Sequence, residues 1–228
     1  MLKYGLALAL VFSSSVQANE ACINEHFESR VGESLSYNLT VSNMNAQGVR
    51  RLEKRESGEF LFRQSAKILI ASVDESSLFT VSTGNVVPQR YEREQKGLGA
   101  KRTRIDYSSN VAVVVRKKKE SRYELPARFQ DPQTSVLALQ AYLNCGAASP
   151  IELNVAGAKG YQKYTYSRVS TAQSTETFKG LPLEYWERNK NGVKEVFGFI
   201  PDKNYLLASF VQDKEGEINR LELVSLPQ

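Results

Sequence analysis

The sequence predicts a mainly-β protein, an antiparallel sheet curved around one apolar helix. Three observations carry this reading. Short stretches of alternating apolar and polar residues recur along the chain. Turn-forming residues interrupt them about every ten residues, as in a β-meander. A single segment, Asp131 to Leu143, breaks the alternation with helical periodicity.

The chain opens like an export signal. Lys3 follows the first two residues, Leu6 to Phe12 is an unbroken apolar run, and Val16-Gln17-Ala18 offers small or modest side chains where a signal peptidase reads. The run falls short of the roughly 20 apolar residues that span a bilayer. Residues 1–18 are therefore expected to be a signal peptide, and 19–228 one mostly-β domain of the periplasm. Asn19 and Glu20 separate Cys22 from the apolar run, which argues against a lipidated cysteine. Cys22 and Cys145 are then the two cysteines of a chain in an oxidising compartment, and a disulfide between them is expected.

Strands follow in order. Leu35 to Val41 alternates as a sheet with one wet face. Phe60 and Phe62 alternate with Glu59, Leu61 and Arg63. Lys67 to Val73 reads as a covered strand, and Leu78 to Ser82 meets the turn Thr83-Gly84-Asn85. Val86 to Glu94 leads out again, with Pro88 marking an edge or a bulge. Ile105 to Tyr107 and Val111 to Val115 flank Ser108-Ser109-Asn110.

The helix begins where Asp131 can accept free amide hydrogens and Pro132 suits the first turn. Val136, Leu139, Gln140 and Leu143 share a face, widened by Leu137 and Ala141, and Gly146 lies past the end. Strands resume at Ile151 to Val155, Gln162 to Val169, Thr175 to Phe178, Leu181 to Arg188, Val193 to Ile200, Leu206 to Gln212 and Glu217 to Val224. Asn189-Lys190-Asn191-Gly192 is the strongest hairpin signal, because Asn-Gly tolerates the positive φ of a tight turn. A sheet of this many strands curls or closes.

Catalytic chemistry finds few residues to use. His26 is the one histidine, and no Gly-x-Ser-x-Gly elbow accompanies it, so it reads as a solvated or packing residue. A zinc site lacks ligands once the cysteines pair, and Asp202 and Asp213 sit in isolated turns rather than a calcium loop. Glu92 with Glu94, and Glu184 with Trp186 and Arg188, each share a strand face, which alternation produces on any wet sheet surface. No catalytic residue, metal or cofactor is expected.

The charge is mildly basic at +5, with 30 basic and 25 acidic residues. The clusters Arg50-Arg51 with Lys54-Arg55, Lys101-Arg102 with Arg104, and Arg116 to Lys119 could meet anionic lipid headgroups or lipopolysaccharide phosphates, but read rather as guards of strand edges and turns. Interspersed glutamates dilute them, and nucleic acid is not an expected partner.

Phe79 with the turn at Thr83-Gly84-Asn85, Val87-Pro88, Arg90-Tyr91, Arg104-Ile105-Asp106-Tyr107, Asp131-Pro132 with Ser135, and Phe199-Ile200-Pro201-Asp202 before the closing strand occur in one order. That order resembles the bacterial periplasmic domain-of-unknown-function family 3108 (DUF3108) over Leu35 to Leu226. Glu187 to Lys194 is more polar than the family pattern at that place. The resemblance implies a half-open β-barrel wrapped around one central α-helix, similar to lipoprotein-localisation carriers. It implies no activity and no site residues.

The function expected is a non-catalytic binding protein that shelters an apolar ligand, such as a lipid acyl chain, between sheet and helix. Phe60, Phe62, Phe79, Tyr91, Leu139, Tyr166, Trp186 and Phe199 are the candidate lining residues, and filling the core is their alternative role. The alternative function is an envelope interaction protein that uses a sheet edge or a basic face. A carboxylate hydrolase would require two carboxylates across a groove.

Overall fold

The computed structural model describes residues 20–42, 44–68, 71–97, 99–169 and 177–227. The expected signal peptide, and the start of the strand expected from Thr175, lie outside them. Two α-helices form among the described residues, where the sequence predicts one. They are α1 (Glu20–Glu28) and α2 (Thr134–Asn144). Neither is long and apolar enough to cross a membrane.

Eight strands precede α2. They are β1 (Ser34–Val41), β2 (Met44–Lys54), β3 (Phe60–Ile68), β4 (Ala71–Ser82), β5 (Asn85–Gly97), β6 (Lys101–Tyr107), β7 (Val111–Arg116) and β8 (Lys119–Glu124). Eight follow it: β9 (Ile151–Gly157), β10 (Gly160–Arg168), β11 (Thr177–Phe178), β12 (Leu181–Pro182), β13 (Glu184–Lys190), β14 (Val193–Ile200), β15 (Leu206–Lys214) and β16 (Glu217–Leu223). β11 and β12 pair only with each other. The rest form one 14-stranded antiparallel sheet in the order β8-β7-β6-β5-β4-β3-β2-β1-β16-β15-β14-β13-β10-β9. Two meanders are thus joined along β1 and β16, where Tyr37 faces Leu223 and Leu39 faces Leu221.

The sheet curls but does not close. Its two end strands, β8 and β9, share no ladder. Tyr107 and Tyr123 instead donate to the carbonyls of Ala156 (2.9 Å) and Gly157 (2.7 Å) across the gap. The backbone of Gln130 also bridges β9, with 2.7 Å bonds to Asn154 and Ala156. Hydroxyls and one linker therefore do what a strand ladder does in a true barrel.

Turn chemistry sets the registers as expected. Asn191 and Gly192 adopt φ of 54° and 82°, and Asn189 Oδ1 accepts the Gly192 N–H at 2.9 Å. The register slips opposite Pro88, between Leu78 and Phe79, which is the bulge that a proline without an N–H requires. Lys67 to Val73 is not one strand. β3 ends at Ile68 and β4 begins at Ala71, and these two residues pair. Both strands carry apolar residues there, so their sequences merge into one run.

The sequence predicts a curved sheet around α2, with Val136, Leu139, Gln140 and Leu143 on its apolar face. The helix is buried on most of its circumference, including Thr134, Ser135, Leu137, Ala138, Leu139, Gln140, Ala141 and Leu143. Such all-round burial marks a helix inside the fold. Asp131 holds its start, with Oδ1 accepting the N–H groups of Gln133 and Thr134 at 2.8 Å each. Ser77 of β4 donates to the same carboxylate at 2.9 Å. The Cys22–Cys145 disulfide is formed and links α1 to the end of α2.

Candidate functional site

The eight expected lining residues are all buried, but they do not meet in one cavity. Phe60, Phe62 and Phe79 pack with Ile23 and Phe27 of α1 and Leu137, Ala138 and Ala141 of α2. Leu139, Tyr166, Trp186 and Phe199 belong to a second cluster on the other side of α2. Tyr91 belongs to a third, with Ile105, Val114 and Ala156, near the gap between the end strands. In this structure the eight fill the interior on both sides of the helix.

Beyond that filled region, the concave face stays open. A pocket of about 220 Å³ lies where β1 to β4 meet β15 and β16. Alternation places Leu39, Val41, Gly48, Ala66, Val73, Phe210 and Leu221 on its inward side, in register with the buried Leu35, Tyr37 and Leu52. The floor is low because Gly48 and Ala66 stand opposite each other. A Cβ at Gly48 would come within 2.8 Å of Leu39 Cδ1. Val73 and Phe210 close the pocket at either side.

Arginines rim the same concave face. Arg93 pairs with Glu75 at 2.6 Å, and Glu75 also accepts from Gln64 at 2.6 Å and Tyr91 at 3.3 Å. Arg188 pairs with Glu195 at 2.5 Å, and Gln212 donates to the other carboxylate oxygen at 2.9 Å. The Arg188 guanidinium lies against Tyr164, Tyr166 and Phe197, with centroids 4.6, 5.0 and 5.3 Å away. It also donates to the Tyr166 hydroxyl. Burial pushes the Tyr166 phenol up, against the pull of Arg188. Arg50 lines the pocket itself, with its guanidinium 4.9 Å from the Tyr37 ring centroid.

The face carrying Glu184, Trp186 and Arg188 is thus not a wet surface. It points inward, with Trp186 Nε1 donating to Glu184 Oε1 at 2.7 Å. Alternation groups residues by face but does not say which face is the interior. Glu92 and Glu94 do lie outside, paired with Arg104 at 3.8 Å and Lys96 at 3.6 Å. His26 is buried in α1 against Phe27, and burial lowers its pKa to about 3.

A second, more polar groove of about 850 Å³ runs between the β4–β5 turn, residues 127–130 and β9. Gln130 lines it, donates to the Val86 carbonyl at 2.8 Å and leaves its buried Oε1 without a partner. Asn154 O and Ala156 N bond Gln130 on the outer edge of β9. Alternation therefore turns the Glu152 N–H and C=O toward the groove.

Sequence reasoning missed the inward role of Arg50, Arg93 and Arg188. One signal was available: each sits two residues from an apolar or aromatic side chain in its strand, in Arg50-x-Leu52, Tyr91-x-Arg93 and Trp186-x-Arg188.

No protein-family model matches the chain, and no curated protein does. The resemblance to family 3108 rests on sequence motifs alone. A solved structure does match. The beta-barrel-like protein of domain of unknown function DUF1849 from Brucella abortus aligns with a TM-score of 0.56 at 12% identity, over 84% of this chain and 95% of that one. At that identity the likeness concerns the fold alone, which is β-barrel-like.

Proposed function

We propose that this chain is a non-catalytic binding protein of the cell envelope that shelters the apolar portion of a small ligand on the concave face of its sheet. The observation that carries this reading is the open pocket beside Leu39, Gly48, Ala66, Phe210 and Leu221, on the concave face past the packed clusters that flank α2. Its volume lies below the roughly 300 Å³ at which drug-sized sites begin. That suits one slender chain, such as a single acyl chain. The half-open barrel that the family 3108 motifs imply offers a concave face of the kind this reading needs.

Native mass spectrometry of the purified protein, followed by lipid extraction, tests the proposal together with an Ala66→Trp variant. A bound acyl species, or uptake of a fluorescent fatty acid that Ala66→Trp abolishes, is the expected result. A clean mass with no uptake by the unaltered protein overturns it.

A second reading is favoured by one specific feature, the outward Glu152 backbone in the 850 Å³ groove. A partner's extended segment would add a strand there. Capture of an extended peptide that is lost when Glu152 becomes proline would move the assignment to an interaction protein.

A further inference from the structure

We infer that the ligand is a single-chain amphiphile with an anionic head, and that Arg50 binds that head. This rests on the pocket proposed above, and it adds the chemical class of the ligand.

The argument starts from how the inward-facing cations are satisfied. Arg93 and Arg188 each have a carboxylate within 2.6 Å, held in turn by further donors. Arg50 lines the pocket and has no carboxylate within 4.0 Å among the described residues. Two carboxylates on its side of the sheet are already engaged. Glu33, which shares a small crevice with Arg50, is held by Arg30 through two bonds of 2.8 and 2.9 Å. Glu75 is taken by Arg93, Gln64 and Tyr91.

Tyr37 is what holds Arg50. The ring supports the guanidinium, and the Tyr37 hydroxyl is fixed by donating to the Leu207 carbonyl at 3.0 Å. A flat cation stacked on a fixed ring is pre-organised, so little freedom is lost when an anion arrives. The residues across the strands, Leu35 on β1 and Gln64 on β3, are neutral. The apolar floor at Gly48 and Ala66 begins at the next inward position of β2 and β3. Head and tail sites are therefore adjacent, as an amphiphile requires. A half-buried cation beside an apolar surface favours an anionic head and disfavours a cationic one.

Isothermal titration of the purified protein with decanoate, decanol and decyltrimethylammonium, each below its micellar range, tests this. Decanoate should bind about tenfold or more tightly than decanol, the factor expected of one charge-assisted hydrogen bond. The cationic ligand should bind weakest. Arg50→Gln should erase the preference for decanoate while leaving decanol binding in place. Arg51→Gln removes the same charge from the outward face and should change neither. Equal binding of decanoate and decanol, or a preference that survives Arg50→Gln, overturns the head-group assignment and leaves the apolar pocket standing. Failure of all three ligands to bind overturns both. Should Arg50→Gln fail to fold, the decanoate-to-decanol ratio of the unaltered protein decides alone.

Discussion

The two sides of α2 solve the same packing problem differently. On one side lies a dry cluster, in which the rings of Phe27 of α1, Phe60 and Phe79 have centroids 5.1 to 5.6 Å apart. The small residues Ala138 and Ala141 let them approach the helix. On the other side Tyr164, Tyr166 and Phe197 lie against the cation of a buried ion pair. The dry side needs a lid, and α1 with its disulfide supplies one. The charged side needs none, because its aromatic rings and carboxylate satisfy Arg188 within the sheet. A dry cluster gains by excluding water. A buried ion pair gains little over apolar residues but loses heavily when one partner goes.

That contrast can be broken from either side. Removing the disulfide with Cys22→Ala and Cys145→Ala should cost most. The sequence separation of 123 residues corresponds to about 5 kcal/mol of chain entropy, an upper figure, read by denaturant unfolding. Phe79→Ala should follow at about 4 kcal/mol, because α1 and α2 confine the rings around the cavity it leaves. Arg188→Met should cost about 3 kcal/mol by stranding Glu195, and adding Glu195→Leu should recover most of the loss. If the double variant is no more stable than the single one, the account of the charged side fails.

The smallest effect concerns pH, since two groups oppose each other there. His26 has its pKa lowered from 6.5 to about 3, so unfolded chains bind the proton better and stability falls as pH drops below 6.5. Asp131 has its pKa raised from 3.8 to about 6 by burial, so its contribution is present below 3.8 and is lost as pH rises to 6. The two partly offset between these limits. His26→Gln should flatten the loss of thermal stability on acidification, and Asp131→Asn should steepen it.

Much of the fold was legible in the sequence. Asn191-Gly192 and Gly216 take the positive φ that their residue types favour, and Asp131-Pro132 starts the helix. What escaped depends on distant partners. α1 is only nine residues long, and its place comes from Cys145, Leu137 and Phe79. β2 carries Arg50, Arg51, Glu53 and Lys54, and lies between β1 and β3 because those neighbours supply its hydrogen bonds. The site was harder still. The aromatic residues chosen for size fill the core, while the open pocket is floored by Gly48 and Ala66, whose smallness carries no pattern in a lone sequence.

The seam between β1 and β16 also bears on how the chain matures during synthesis. Strands β1 to β8 can zip into successive hairpins as they emerge, each beside a neighbour just made. β1 alone must wait. Its second edge, Ser34–Val41, stays bare until Glu217–Leu223 has been translated, because those much later residues are its partner. An early strand with one open side is what holding chaperones recognise and what aggregates when they are scarce. A change that disturbs β16 would therefore be felt first at β1, far earlier in the chain.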